Sequence, residues 1–101
     1  MRVDFESMPW QDAAPGARFK AIRQGRRMLR ILELTPEFVE LDWCRKGHSG
    51  IVLEGELEIE FQGALARYPS GSGISIAAGP GAAHKARAVT ARVRLFLVED
   101  A

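Results

Sequence analysis

An all-β domain is the fold class this sequence predicts, and three observations carry it. Apolar and polar residues alternate over much of the chain, longest from Ile51 to Phe61. Turn signals containing Gly or Pro recur between the alternating runs. No segment combines helical length with a sustained apolar stripe of 3.6-residue period. Many short strands at close spacing make a sandwich or a small barrel.

The elements follow in chain order. Residues 1–16 hold Pro9 and Pro15 and predict an irregular arm, with Trp10 anchoring it on the barrel or on a partner subunit. Residues 17–100 predict the barrel itself. Ala17 to Arg23 alternates, and Gln24-Gly25 turns the chain. Met28 to Leu34 is a second run, closed by Thr35-Pro36. Phe38 to Cys44 predicts a third strand, with Val39, Leu41 and Trp43 on one face and Phe38, Glu40, Asp42 and Cys44 on the other. Ile51 to Phe61 predicts a strand or hairpin. Ile51, Leu53, Leu57, Ile59 and Phe61 share its apolar face. Glu54, Glu56, Glu58 and Glu60 share a wet face that keeps an edge soluble. Gln62-Gly63 turns, residues 64–70 form a short strand ending at Pro69, and Ile74-Ser75-Ile76 forms another. Ala78 to Ala83 is a Gly/Pro loop, and Val89 to Val98 is the final strand.

Composition bounds the rest. A chain of 101 residues is one domain, 1–101. At this size it buries about 65% of its unfolded surface, enough for one core. Fourteen basic and 13 acidic residues leave a net charge of +1, so no nucleic-acid footprint is expected. The local cluster Arg23, Arg26, Arg27 and Arg30 reads as a solvated turn and strand face. One cysteine rules out an intrachain disulfide and favours a reducing, cytoplasmic setting. Met1 to Glu6 has early acids and no apolar run, which predicts no secretion leader. No run reaches the ~20 apolar residues of a membrane span, so no membrane partner is expected. Gly-x-Ser-x-Gly, a phosphate-binding loop and CxxC are all absent.

The chemistry concentrates near Asp42-Trp43-Cys44-Arg45-Lys46-Gly47-His48. Asp42 and Cys44, two apart on a strand, point to one face. This stretch, followed by Val52-Leu53-Glu54-Gly55-Glu56-Leu57, resembles the first motif of the cupins. With Gly55 as register, Asp42 stands at the family's first His position, Cys44 at the second and His48 at its Glu position. The family's second motif is matched by Gly73, Gly79, Gly81 and His84, or by a start at Gly71. Either register ends on His84, where cupins keep their last metal-binding His. The Trp-Cys-x-Lys-Gly-His variant resembles a subgroup of small bacterial cupins.

The resemblance covers about residues 17–100 and implies a cupin-type double-stranded β-helix, a jelly-roll barrel. It also implies a divalent metal (Zn, Fe, Ni or Mn) and a small-molecule ligand in the barrel mouth. The expected ligand set is Cys44, His48 and His84, with Asp42 an optional member. The usual three-His, one-Glu set cannot form, because the chain has two histidines. Glu40 joins the pocket as an acid or as a support to the ligands. Each residue has a plainer reading beside this one. Cys44 is then a small buried hydrophobe, His48 and His84 bond backbone carbonyls, and Asp42 is an exposed carboxylate. The overall expectation is a small cupin, a homodimer, binding a metal or a small polar ligand. The alternatives are a metal-free binding or sensing module and a non-catalytic assembly barrel. Whether an oxygenase, isomerase or hydrolase reaction follows is left open.

Overall fold

The computed structural model describes residues 1–100 as nine strands and two single turns of 3-10 helix. The strands are β1 (Gln11–Ala14), β2 (Ala17–Gln24), β3 (Arg27–Leu34), β4 (His48–Glu54), β5 (Glu56–Phe61), β6 (Ala64–Pro69), β7 (Gly73–Ile76), β8 (His84–Ala88) and β9 (Val93–Asp100). They form a six-stranded sheet in the order β1-β2-β3-β9-β4-β7 and a three-stranded sheet in the order β6-β5-β8. Every pairing is antiparallel. The all-β expectation holds. No helix among the described residues is long and apolar enough to cross a membrane.

The core lies between the inner faces of the two sheets. Leu34, Val52, Leu57 and Val93 are its most completely buried side chains. Each such residue contributes about 1.5–3 kcal/mol by leaving water. Ala17, Ile59, Ile74, Leu95 and Leu97 complete the packing. In β9 the buried positions alternate without a break through Val93, Leu95, Leu97 and Glu99. The inner face therefore carries a carboxylate at its end.

Five expectations about the strands and the arm change. First, residues 38–43 form no strand. Glu40 explains part of this, because its Oε1 accepts the Ala86 N–H at 2.8 Å, a donor that a neighbouring strand would otherwise take. Second, the alternation from Ile51 to Phe61 is not one face. Gly55 adopts φ 79° at the corner between the two sheets, and a Cβ there would meet the Arg92 carbonyl oxygen at 2.1 Å. The corner exchanges the faces, so Val52 is buried while Ile51 and Leu53 are exposed. Beyond it Leu57 and Ile59 point inward as expected.

Third, β5 is the central strand of its sheet, so the glutamate row guards no edge. Glu58 is instead clamped between Arg67 at 2.8 Å and Arg87 at 2.6 Å. Fourth, the N-terminal arm contributes β1 to the six-stranded sheet. Trp10 anchors the arm on the barrel, with Arg18 and Lys20 over its ring at 4.3 and 4.7 Å.

The strand assigned to Val89–Val98 is in fact the end of one turn plus β9, and β8 precedes it. The run of apolar residues concealed the Thr90–Arg92 turn. Thr90 stabilises that turn by accepting the Glu56 N–H at 3.0 Å and donating to the Arg92 carbonyl at 2.9 Å.

Two predictions follow from the packing. A Cβ on Gly50 would stand 1.8 Å from the Phe96 carbonyl oxygen, so β4 and β9 approach closely only because Gly50 has no side chain. Gly50→Ala is expected to cost about 1–3 kcal/mol, measured by urea unfolding. Glu33, nearly buried on the outer side of β3, bonds Arg18 at 2.9 Å and Arg94 at 2.8 Å. Burial opposes its ionisation, but the bonds from Arg18 and Arg94 outweigh it and hold the carboxyl below its usual range. Because the folded value is the lower one, the contribution is complete above the ordinary carboxyl pKa and is lost as pH falls through the folded value. Glu33→Gln is expected to flatten the stability profile below about pH 4.3, followed by thermal melts across the acid range.

Candidate metal centre

Cys44, His48 and His84 converge at one end of the barrel. Their ligand atoms all lie within 4.8 Å of one another. Local structure accounts for each position. Cys44 and His84 form an isolated antiparallel bridge and exchange both backbone bonds, Cys44 N–H to His84 O at 2.8 Å and His84 N–H to Cys44 O at 2.9 Å. Residues directly opposite in such a pair project their side chains from the same face. His48 opens β4 opposite Ile76 and points inward with Val52. The His48 and His84 rings meet edge-on, with centroids 5.0 Å apart. Cys44 Sγ lies 3.7 Å from His48 Nε2.

The partners of the rings settle their tautomers. His84 is buried, and its Nδ1 lies 2.9 Å from the Ala82 carbonyl oxygen. A carbonyl oxygen only accepts, so Nδ1 carries the hydrogen and Nε2 keeps its lone pair. His48 Nδ1 rests against the Glu99 carboxylate. An ionised carboxylate likewise only accepts, which again leaves the hydrogen on Nδ1. That contact is close but off the line of an ideal hydrogen bond, and the ring nitrogen has no other partner among the described residues.

Glu99 is the residue that sequence reasoning missed. It is buried and also meets Arg30, through Nε at 2.8 Å and through an aligned bond from Nη2 at 2.9 Å. Burial opposes its ionisation. The His48 contact and the Arg30 charge together outweigh burial and hold the carboxyl below its usual range. The available signal was the alternation Val93, Leu95, Leu97, which puts residue 99 on the same face. Arg30 corrects a second expectation. It lines the barrel cavity with Leu32 and Leu34, where a solvated strand face was expected.

The other expected site residues lie apart. Asp42 is exposed and outside the cluster, because residues 38–43 leave the strand conformation that would have turned it inward. Glu40 lines the cavity, but its carboxylate is engaged by Ala86 and does not join the cluster. Trp43 faces away and carries Lys85 Nζ 4.8 Å above its ring. The cavity beside the cluster measures about 280 Å³ and is walled chiefly by Leu, Ile and Ala side chains.

No protein-family model and no curated protein matches the chain. Solved structures do match it. KdgF from a Halomonas species superposes with a TM-score of 0.76 at 20% identity, over 95% of this chain and 89% of that one. An RmlC-like cupin from Shewanella frigidimarina NCIMB 400 gives 0.78 at 16% identity, over 98% and 89%. The FeII form of HppE gives 0.75 at 12% identity, over 98% of this chain and 59% of that one. At these identities the shared property is the fold.

The charge arrangement predicts a measurable coupling. Arg30→Met leaves the Glu99 carboxylate without its cation and is expected to destabilise the protein by about 1–3 kcal/mol. The double change with Glu99→Leu is expected to cost less than the two single changes together, read as a double-mutant cycle by chemical unfolding.

Proposed function

We propose that this chain, which has the cupin fold, holds a divalent transition metal on Cys44, His48 and His84 and presents it to a small molecule in the barrel. The observation that carries this reading is the pair of imidazoles. His84 Nδ1 is bonded to the Ala82 carbonyl and His48 Nδ1 rests against the Glu99 carboxylate, which leaves Nε2 of each ring for the cluster. Metal-binding histidines are oriented in this way.

The donor set fits such an ion. A thiolate and two imidazoles suit zinc and also Fe(II), and they do not suit calcium or magnesium, which take oxygen ligands. The softness of the thiolate favours zinc; the similar fold of HppE in its FeII form keeps iron as the other candidate. A bound ion would supply a Lewis-acid or redox centre with a position open to a ligand.

The chain's own residues do the rest. Cys44 contributes a negative charge once its thiol ionises. Glu99 orients His48, while Arg30 helps to keep Glu99 ionised. The Ala82 carbonyl orients His84. The apolar walls limit water at the site.

Elemental analysis of protein purified without added metal or chelator tests this reading. About one metal per chain is expected, lost in Cys44→Ala and in His84→Ala. Glu99→Gln is expected to retain the fold and weaken metal affinity by about 10–100-fold. Protein that takes up neither zinc nor iron, nickel or manganese would overturn the reading and leave a metal-free binding barrel, which the cavity alone supports.

A further inference from the structure

The lining of the cavity defines a chemical class of ligand, a step that rests on the metal reading above. We infer that the barrel takes a small monocarboxylic acid with an apolar body, bound as its anion. About 280 Å³ of space is available. At roughly 30 Å³ for each water-sized group, that holds on the order of nine non-hydrogen atoms.

The walls decide what those atoms are. Leu34, Leu57, Ile59, Ile74, Leu95 and Leu97 line most of the space. Among the described residues, no Ser, Thr, Asn, Gln or Tyr side chain lines it. A sugar or another polyol would bury hydroxyl groups against these walls without partners, at a cost of about 1–3 kcal/mol for each group. The body of the ligand is therefore hydrocarbon.

The charges decide the head group. Arg30 is engaged by Glu99. Glu40 lines the cavity, accepts the Ala86 N–H and forms no ion pair among the described residues. Lys46 lies between Cys44 and His48 in the chain and lines the same cavity. It forms no ion pair among the described residues. With a dication in place, the charges of Lys46, Arg30 and the metal exceed those of Glu40, Glu99 and a Cys44 thiolate by one. One anionic head group neutralises that excess. The carboxylate belongs at the cluster end beside Lys46, and the hydrocarbon extends into the barrel.

Isocaproate and isocaproamide distinguish these contributions, titrated by calorimetry into protein loaded with zinc, with threonate as a polyhydroxy acid of similar size. Isocaproate is expected to bind, with the amide at least about tenfold weaker, the size of one charge-assisted hydrogen bond. Threonate is expected not to compete. Lys46→Met, a change at an exposed position, is expected to weaken isocaproate about three- to fivefold and to leave the amide unchanged.

Equal binding of acid and amide would overturn the inference. So would threonate binding as tightly as isocaproate, an unchanged affinity in Lys46→Met, or no binding of isocaproate up to roughly 10 mM. Zinc content measured on the same samples separates the two readings. Zinc present without a preference for the apolar acid removes this inference alone; zinc absent removes the metal reading beneath it.

Discussion

The single antiparallel bridge between Cys44 and His84 is the constraint on which the candidate site depends. It consists of two backbone hydrogen bonds, and it lies at the end of a segment, residues 38–43, that is in no strand ladder among the described residues. Those two bonds set a thiol and an imidazole side by side on the inner face. They also tie the long connection after β3 to the start of β8. His48 needs no such device, because the β4 ladder to β7 and β9 already fixes it. The cluster is thus assembled from one strand, one strand end and one pinned loop. Its rigidity comes from the sheet on two sides and from the bridge on the third.

A second layer of interaction gives the cluster its chemical character. Glu99 and the Ala82 carbonyl take similar places beside the two rings, the carbonyl accepting the His84 Nδ1 hydrogen and the carboxylate resting against His48 Nδ1. They differ in charge. The carbonyl only orients His84, whereas Glu99 also brings a negative charge into the barrel. Arg30 compensates that charge from the neighbouring β3, opposite Leu97 in the ladder. A chain of Arg30, Glu99 and His48 therefore runs from the sheet to the cluster, and every member is positioned by strand register. The apolar cavity adjoins this chain, and its hydrocarbon walls lower the effective dielectric around it.

Much of the barrel was legible in the residues. β2, β3, β6 and β7 follow from alternation and turn signals, since period-2 patterns between Gly-rich turns leave few other conformations. His84 was placed by the Gly/Pro turn before it, and Cys44 and His48 by the cupin-like phrase. The misplaced elements share a cause. The alternation of residues 38–44 describes a strand, but only the partner strand could make it one, and Glu40 takes the Ala86 donor instead. The run through Gly55 alternates in the sequence, yet the corner between two sheets reverses which residues face inward. Asp42 remained outside the cluster for the first of these reasons.

Local alternation, turn residues and composition by themselves determined an all-β domain and its approximate strands, and the resemblance to the cupin motifs pointed to Cys44, His48 and His84. Such signals act over a few residues and are visible in one dimension. The tertiary structure alone decided that Glu99 and Arg30 belong beside His48, that Asp42 does not, and that the cavity is walled by hydrocarbon. Arg30 and Glu99 are separated by 69 positions and meet only because β3 and β9 are neighbours in the sheet. Contacts of that kind depend on strand order and register, which are properties of the whole packed chain and not of any segment within it.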